Sequence, residues 1–284
     1  MRRLLSTVLA ALTVLALGAF PATAAPEEDP IEVSPTYPTW GMSPDGANDW
    51  GCVPTTQRPT PVIIVHGTFG DQKSLLDKVS RAMVDEGFCV YALDYGNRGT
   101  RAIEGSAAEL DTFVGRVLEA TGAAKVSMVG HSQGGLMPRY YIKFLGGDLV
   151  VDDLVGLAPS NHGTSTSGPH DNPFTGSQAQ VVFCQACIQQ SAGSEFLNNL
   201  NAGDETPGPV SYTQITTRND TVVVPHTSGY LEAGDRTTNL TIQDKCPTDQ
   251  AEHLQIPMSD TAIALTLDAL TRDGAADPAY QPAC

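Results

Sequence analysis

Short runs of apolar and β-branched residues recur along the chain at intervals. "PVIIVHG" (Pro61 to Gly67), "FCVYALDYG" (Phe88 to Gly96), "KVSMVG" (Lys125 to Gly130), "DLVGLAP" (Asp153 to Pro159), "VSYTQITT" (Val210 to Thr217) and "TNLTIQD" (Thr238 to Asp244) each have the length and turn-forming flanks of a buried strand. Between the early runs the period changes. Leu75, Leu76, Val79 and Met83 recur at helical spacing, as do Leu110, Phe113, Val117 and Leu118, and a late helix is expected from about Ser259 to Arg272. Strands that read as continuous apolar runs, alternating with amphipathic helices, predict an α/β fold: a mostly parallel sheet with helices on both faces. In that architecture ligands meet the loops at the carboxyl ends of the strands.

The first 25 residues stand outside this pattern. Arg2 and Arg3 precede an apolar run from Leu4 to Phe20, and Ala22-Thr23-Ala24 has the spacing of a cleavage site, so residues 1–25 read as a secretory signal. The pair of arginines also permits a twin-arginine route. Pro21 and the acidic "PEEDP" that follow provide no stop-transfer flank, and no later segment has the length and apolarity of a membrane span. Residues 26–284 are expected to form a single domain, entered through a lead-in over 26–61 rich in Pro, Gly and Asp. Its 14 basic and 32 acidic residues leave a charge of −18, which repels nucleic acid and anionic lipid. Six cysteines in an exported chain suit three disulfides. Chain position favours Cys52 with Cys89, where the lead-in meets a strand, the local pair Cys184 with Cys187, and Cys246 with Cys284 at the tail. The Cys-x-x-Cys lacks the second cysteine pair or histidine pair that a zinc site needs.

Chemistry concentrates at "VGHSQGG", where a strand runs directly into a helical pattern. Gly130-x-Ser132-x-Gly134 at such a junction is the signature of a nucleophile elbow: the turn lifts the serine hydroxyl clear of the sheet, and the glycines allow the close approach this requires. A serine needs a base, and in this chain order an acid and then a histidine should follow. Asp220, in "ITTRNDTVVVP", is the preferred acid over Asp235 and Asp244. His253, in "AEHLQIP", is the preferred base over His226, which precedes the last strand. His66 and His131 abut the glycine turns and read as loop braces, His162 as a residue near the cleft, and His170 as part of a Pro/Gly-rich loop. Backbone N–H groups of Gln133 and Thr68 are the expected oxyanion donors, with the threonine hydroxyl a candidate third. The sequons at Asn219 and Asn239 read as coincidental, since a glycan on Asn219 would crowd Asp220.

With "VHGTFGD", "VGHSQGG", "LVGLAPSNHGT", "QQSAGSEFLNNLN", "TRNDTVVVP" and "EHLQIP", the chain resembles the secreted bacterial triacylglycerol lipases and esterases of the α/β-hydrolase superfamily, particularly the actinobacterial ones. The resemblance spans Val65 to Pro257. It implies carboxylester hydrolysis with Ser132 as nucleophile, Asp220 as acid, His253 as base, and Thr68 and Gln133 at the oxyanion hole. It implies no organic cofactor; some lipase groups carry a structural calcium, for which the sequence offers no matching ligand cluster. The expected partner is a lipid or other ester at an oil-water interface, met by a monomer. A short-chain esterase, a polyester hydrolase or an acyltransferase would use the same residues, and a catalytically silent lipid-binding protein would keep the fold alone. Finally, the segment 165–188 is too long and irregular for a simple connection. Its apolar Val181, Val182 and Phe183 and its local cysteine pair suggest a lid over Ser132, or else core filling beneath an open cleft.

Overall fold

All six expected strands are present in the computed structural model, which describes residues 39–165 and 184–284. The segment expected to be a signal sequence, His170, and Val181, Val182 and Phe183 of the expected lid lie outside the described residues. Strands β1 (Val62–Val65), β2 (Val90–Leu93), β3 (Val126–His131), β4 (Val151–Leu157), β5 (Ser211–Thr216) and β6 (Thr237–Thr241) form one sheet in the order β2-β1-β3-β4-β5-β6. Every neighbouring pair is parallel, as Val65 opposite Gly130, Gly130 opposite Gly156 and Ile215 opposite Leu240 illustrate.

Side chains alternate across this sheet because strand geometry has a period of two. Ile63, Val65, Tyr91, Leu93, Met128 and Leu154 pack on one face against helices α2 (Ile103–Thr121), α3 (Gln133–Phe144) and α5 (Glu195–Leu200). Val62, Ile64, Ala92, Val129, Val155 and Ile215 pack on the other against α1 (Asp77–Asp85) and α6 (Asp260–Leu270). Both faces are therefore dry, which is why the strands read as unbroken apolar runs. The late helix starts where its cap dictates: the Ser259 hydroxyl accepts the Ala262 N–H at 3.0 Å. Helix α2 ends at Gly122, whose φ of +66° is the left-handed stop that glycine supplies without a Cβ penalty. The short α4 (Gln185–Gln189) carries the Cys184–Cys187 disulfide, and the other bridges join Cys52 with Cys89 and Cys246 with Cys284, the three expected pairs.

One helical assignment shifts. The spacing puts Leu75 on the buried face of α1, but the helix starts at Asp77, and Leu75 has a left-handed φ of +66°. The side chain lines the cleft described below rather than the core. Periodicity cannot see this, since the turn ahead of the helix happens to carry a leucine in phase.

The connections fix where a site can form. From β1 the chain crosses to β2 on one side, and β3 then returns to the other side of β1, so the strand order reverses between β1 and β3. The loops after those two strands diverge at their carboxyl ends and leave a crevice.

Candidate active site

Gly67 to Gly70 follow β1, and Ser132 follows β3, so both come to that crevice. Ser132 takes φ +56° and ψ −122°, outside the ordinary regions for a residue with a side chain. Its own N–H is held by the Leu157 carbonyl at 2.9 Å, and its carbonyl accepts Gly135 N–H at 2.9 Å. The flanking glycines explain how so sharp a turn closes: a Cβ on Gly130 would sit 1.8 Å from the Gly134 carbonyl oxygen, and one on Gly134 would sit 2.2 Å from that of Val65. Backbone occupies the space at both positions, so no side chain can be accommodated by rotamer adjustment.

Ser132 shares a cleft of about 300 Å³ with His66, Gly67, Thr68, Phe69, Leu75, His131, His253 and Leu254. His253 comes from the loop after β6, and its Nδ1 lies 2.8 Å from Asp220 Oδ2. Both are buried, 2% and 8% exposed, so water does not compete for the bond. A carboxylate can only accept, which places the imidazole proton on Nδ1 and leaves Nε2 with a lone pair. The other oxygen of Asp220 accepts the N–H groups of Val222 at 2.8 Å and Val223 at 2.7 Å, clamping the carboxylate in place. Of the three candidate aspartates, Asp220 is thus the one whose carboxylate meets His253. Asp235 is exposed, and Asp244 pairs at the surface with Arg218.

The other histidines differ sharply in role. His131 Nε2 meets the His253 carbonyl oxygen at 2.8 Å, and the two rings lie 4.9 Å apart. Burial and the neighbouring His253 hold its pKa down to about 3, so the ring is neutral and its Nε2–H donates to that carbonyl. His66 stacks on Tyr95 with ring centroids 4.2 Å apart and donates from Nδ1 to the Gly67 carbonyl at 2.8 Å; burial lowers its pKa to about 4. Both brace loops. His162 bonds Glu205 at 2.8 Å, away from the cleft, and His226 belongs to a short 3-10 turn.

Around Thr68 and Gln133 the structure adds a residue to which the sequence assigned nothing. The Thr68 hydroxyl donates to Gln133 Oε1 at 2.6 Å, and Gln190 Nε2 lies 2.9 Å from that hydroxyl and 3.1 Å from the same Oε1. Gln190 lies in "QQSAGSEFLNNLN", far along the chain, and only the fold brings it here. Gln133 opens α3, so its N–H has no carbonyl of its own helix to bond. Among the described residues no group of three or more His, Cys, Asp and Glu side chains could hold a metal ion.

A family model described as lipase (class 2) matches residues 59–266. The chain belongs to that family. Among curated proteins it is similar to a triacylglycerol lipase of Pseudarthrobacter phenanthrenivorans, 38% identical over 28% of this chain and 27% of the relative. A triacylglycerol lipase of Vibrio cholerae is 34% identical over 52% of this chain and 44% of the relative. The matches thus span less than half the length of these relatives. Among solved structures, Aspergillus fumigatus lipase B superposes with a TM-score of 0.70 at 21% identity, covering 83% of this chain and 57% of that one. Mature Bacillus licheniformis lipase BlEst2 gives 0.59 at 14% identity, covering 77% and 94%. These likenesses establish the α/β-hydrolase fold.

Proposed function

We propose that this family member is a secreted serine carboxylester hydrolase that cleaves acylglycerols through an acyl-enzyme. One observation carries the reading: a serine in a strained, glycine-flanked turn shares a cleft with a histidine whose far nitrogen is bound by a buried carboxylate. With Nδ1–H committed to Asp220, His253 Nε2 takes the proton as Ser132 Oγ attacks the ester carbonyl. The carbonyl oxygen becomes an oxyanion held by the N–H groups of Gln133 and Thr68, each contributing about 3 kcal/mol. Collapse expels the alcohol, protonated by His253, and leaves the acyl group on Ser132. Water, deprotonated by the same nitrogen, then releases the acid.

Phe69, Leu75 and Leu254 give the cleft an apolar wall suited to an acyl chain, and Phe69 and Leu254 are exposed at its mouth, 39% and 52%. Three disulfides suit an oxidising compartment, in keeping with export. Among the described residues no helix is long and apolar enough to cross a membrane.

The test is labelling and turnover together. A fluorophosphonate should modify Ser132 stoichiometrically, and Ser132→Ala should lose labelling and hydrolysis of emulsified triacylglycerol while keeping its thermal transition. Full turnover by folded Ser132→Ala would end the proposal. Turnover of soluble short esters alone would move the assignment to an esterase.

A further inference from the structure

Gln190 is buried, 6% exposed, and each of its amide atoms is committed. Its Oε1 accepts the Ser160 hydroxyl at 2.8 Å, and its Nε2 donates to the Ala186 carbonyl at 3.1 Å. A carbonyl cannot donate, so the Ala186 contact fixes which way the amide points. The nitrogen therefore faces Thr68 and Gln133. Gln133 must answer with its oxygen, and the Thr68 hydroxyl spends its single proton on that oxygen at 2.6 Å. In this arrangement the hydroxyl has nothing left to donate toward the cleft.

Turning that proton toward the cleft would strip Gln133 Oε1 of a donor. Gln133 is fully buried, where an acceptor without a partner is costly. Gln190 removes this obstacle. One of its two Nε2 hydrogens goes to Ala186, and the other lies within reach of both Thr68 Oγ1 at 2.9 Å and Gln133 Oε1 at 3.1 Å. When the hydroxyl turns, that hydrogen can satisfy Gln133 Oε1 in its place, or hold Thr68 Oγ1 as an acceptor while its proton points elsewhere. We infer that Gln190 is a positioning residue of the ester-cleaving site: it hands its amide hydrogen to the Thr68–Gln133 pair so that the Thr68 hydroxyl can donate to the oxyanion as a third hydrogen bond. The inference rests on the proposed hydrolysis at Ser132. Because the hydroxyl is recruited only as negative charge develops, the effect belongs to the transition state and should appear in kcat.

A double-mutant cycle on a soluble ester tests it. Thr68→Val, which keeps the shape and removes the hydroxyl, should lower kcat roughly 10- to 100-fold with KM changed less than about threefold. Thr68→Ser, which restores a hydroxyl, should recover most of the kcat that Thr68→Val loses. Gln190→Leu should lower kcat about tenfold alone and add nothing in the Thr68→Val background, since it acts through a group no longer there. Gln190→Glu keeps the acceptor for Ser160 and loses the donor; it should repeat the kcat loss and serves alone if the leucine variant does not fold. Unchanged kcat in Thr68→Val, equal losses from Gln190 substitution in both backgrounds, or losses confined to KM would each overturn the inference. If Ser132→Ala is inert while the cycle is additive, Gln190 is structural and the hydrolase reading stands. If Ser132→Ala still turns over, the reading of the site fails first.

Discussion

His131 should make this protein acid-sensitive in a way that two substitutions can dissect. In the folded chain His131 protonates near about 3 and His66 near about 4, both held down chiefly by burial, against 6.5 for a free imidazole. Asp153 works against them: burial, with Asp152 beside it, raises its carboxyl to about 7. At pH 5.5 the unfolded chain carries about 0.9 proton on each of these two histidines that the folded chain lacks, while the folded chain carries about one on Asp153 that the unfolded chain lacks. The unfolded state binds more protons on balance, so stability falls as the pH falls. At about 1.4 kcal/mol per proton and pH unit, the two histidines outweigh Asp153, and these three groups together give a slope on the order of 1 kcal/mol per pH unit between pH 5 and 6. His162, whose pKa is raised by Glu205, works slightly against the slope and His226, lowered by burial, adds to it, both equally in every variant. Urea unfolding at several pH values in this window measures the slope directly. His131→Gln, which retains a donor for the His253 carbonyl, should lower the slope by about 1 kcal/mol per pH unit, and Asp153→Asn should raise it by a similar amount. A His131→Gln slope equal to that of the unaltered protein would refute the claim that the ring is neutral in the fold. The claim bears on function. A charge on His131, with its ring 4.9 Å from that of His253, would oppose the positive charge that the proposed proton transfer from Ser132 places on His253.

Gly134→Ala should abolish the folded state or lower its melting temperature by well over 10 °C, because the new Cβ would lie 2.2 Å from a β1 carbonyl oxygen that the sheet holds fixed; a melting temperature within a few degrees of the original would contradict this close approach. Asp220→Asn should reduce kcat by about 10⁴ with the fold intact, through loss of the acceptor that sets the His253 tautomer, whereas Asp244→Asn, altering a surface pair with Arg218, should leave kcat within about twofold; the reverse pattern would reassign the acid.

The sheet and the elbow were legible in the sequence because each depends on local information. Val62 to Val65 or Val126 to Val129 read as strands since both their faces are buried, and Gly130-x-Ser132-x-Gly134 announces its turn because the clashes that demand glycine involve residues close by in the chain or in the adjacent strand. What the sequence left open was settled only by contacts between distant segments. Asp220, Asp235 and Asp244 are equivalent as letters, and the 2.8 Å bond across 33 residues to His253 distinguishes one of them. Leu75 was in phase with a helix it does not join, because a left-handed turn intervenes that periodicity does not register. Gln190 lies in one of the runs that carry the resemblance, yet the sequence assigned it no role: an amide acquires meaning from its partners, and its partners lie 57 residues away at Gln133 and 122 away at Thr68. His66 and His131 brace their loops as the glycine turns beside them suggested, but that both rings are neutral was decided by burial, since an imidazole's charge state depends on the water the fold removes.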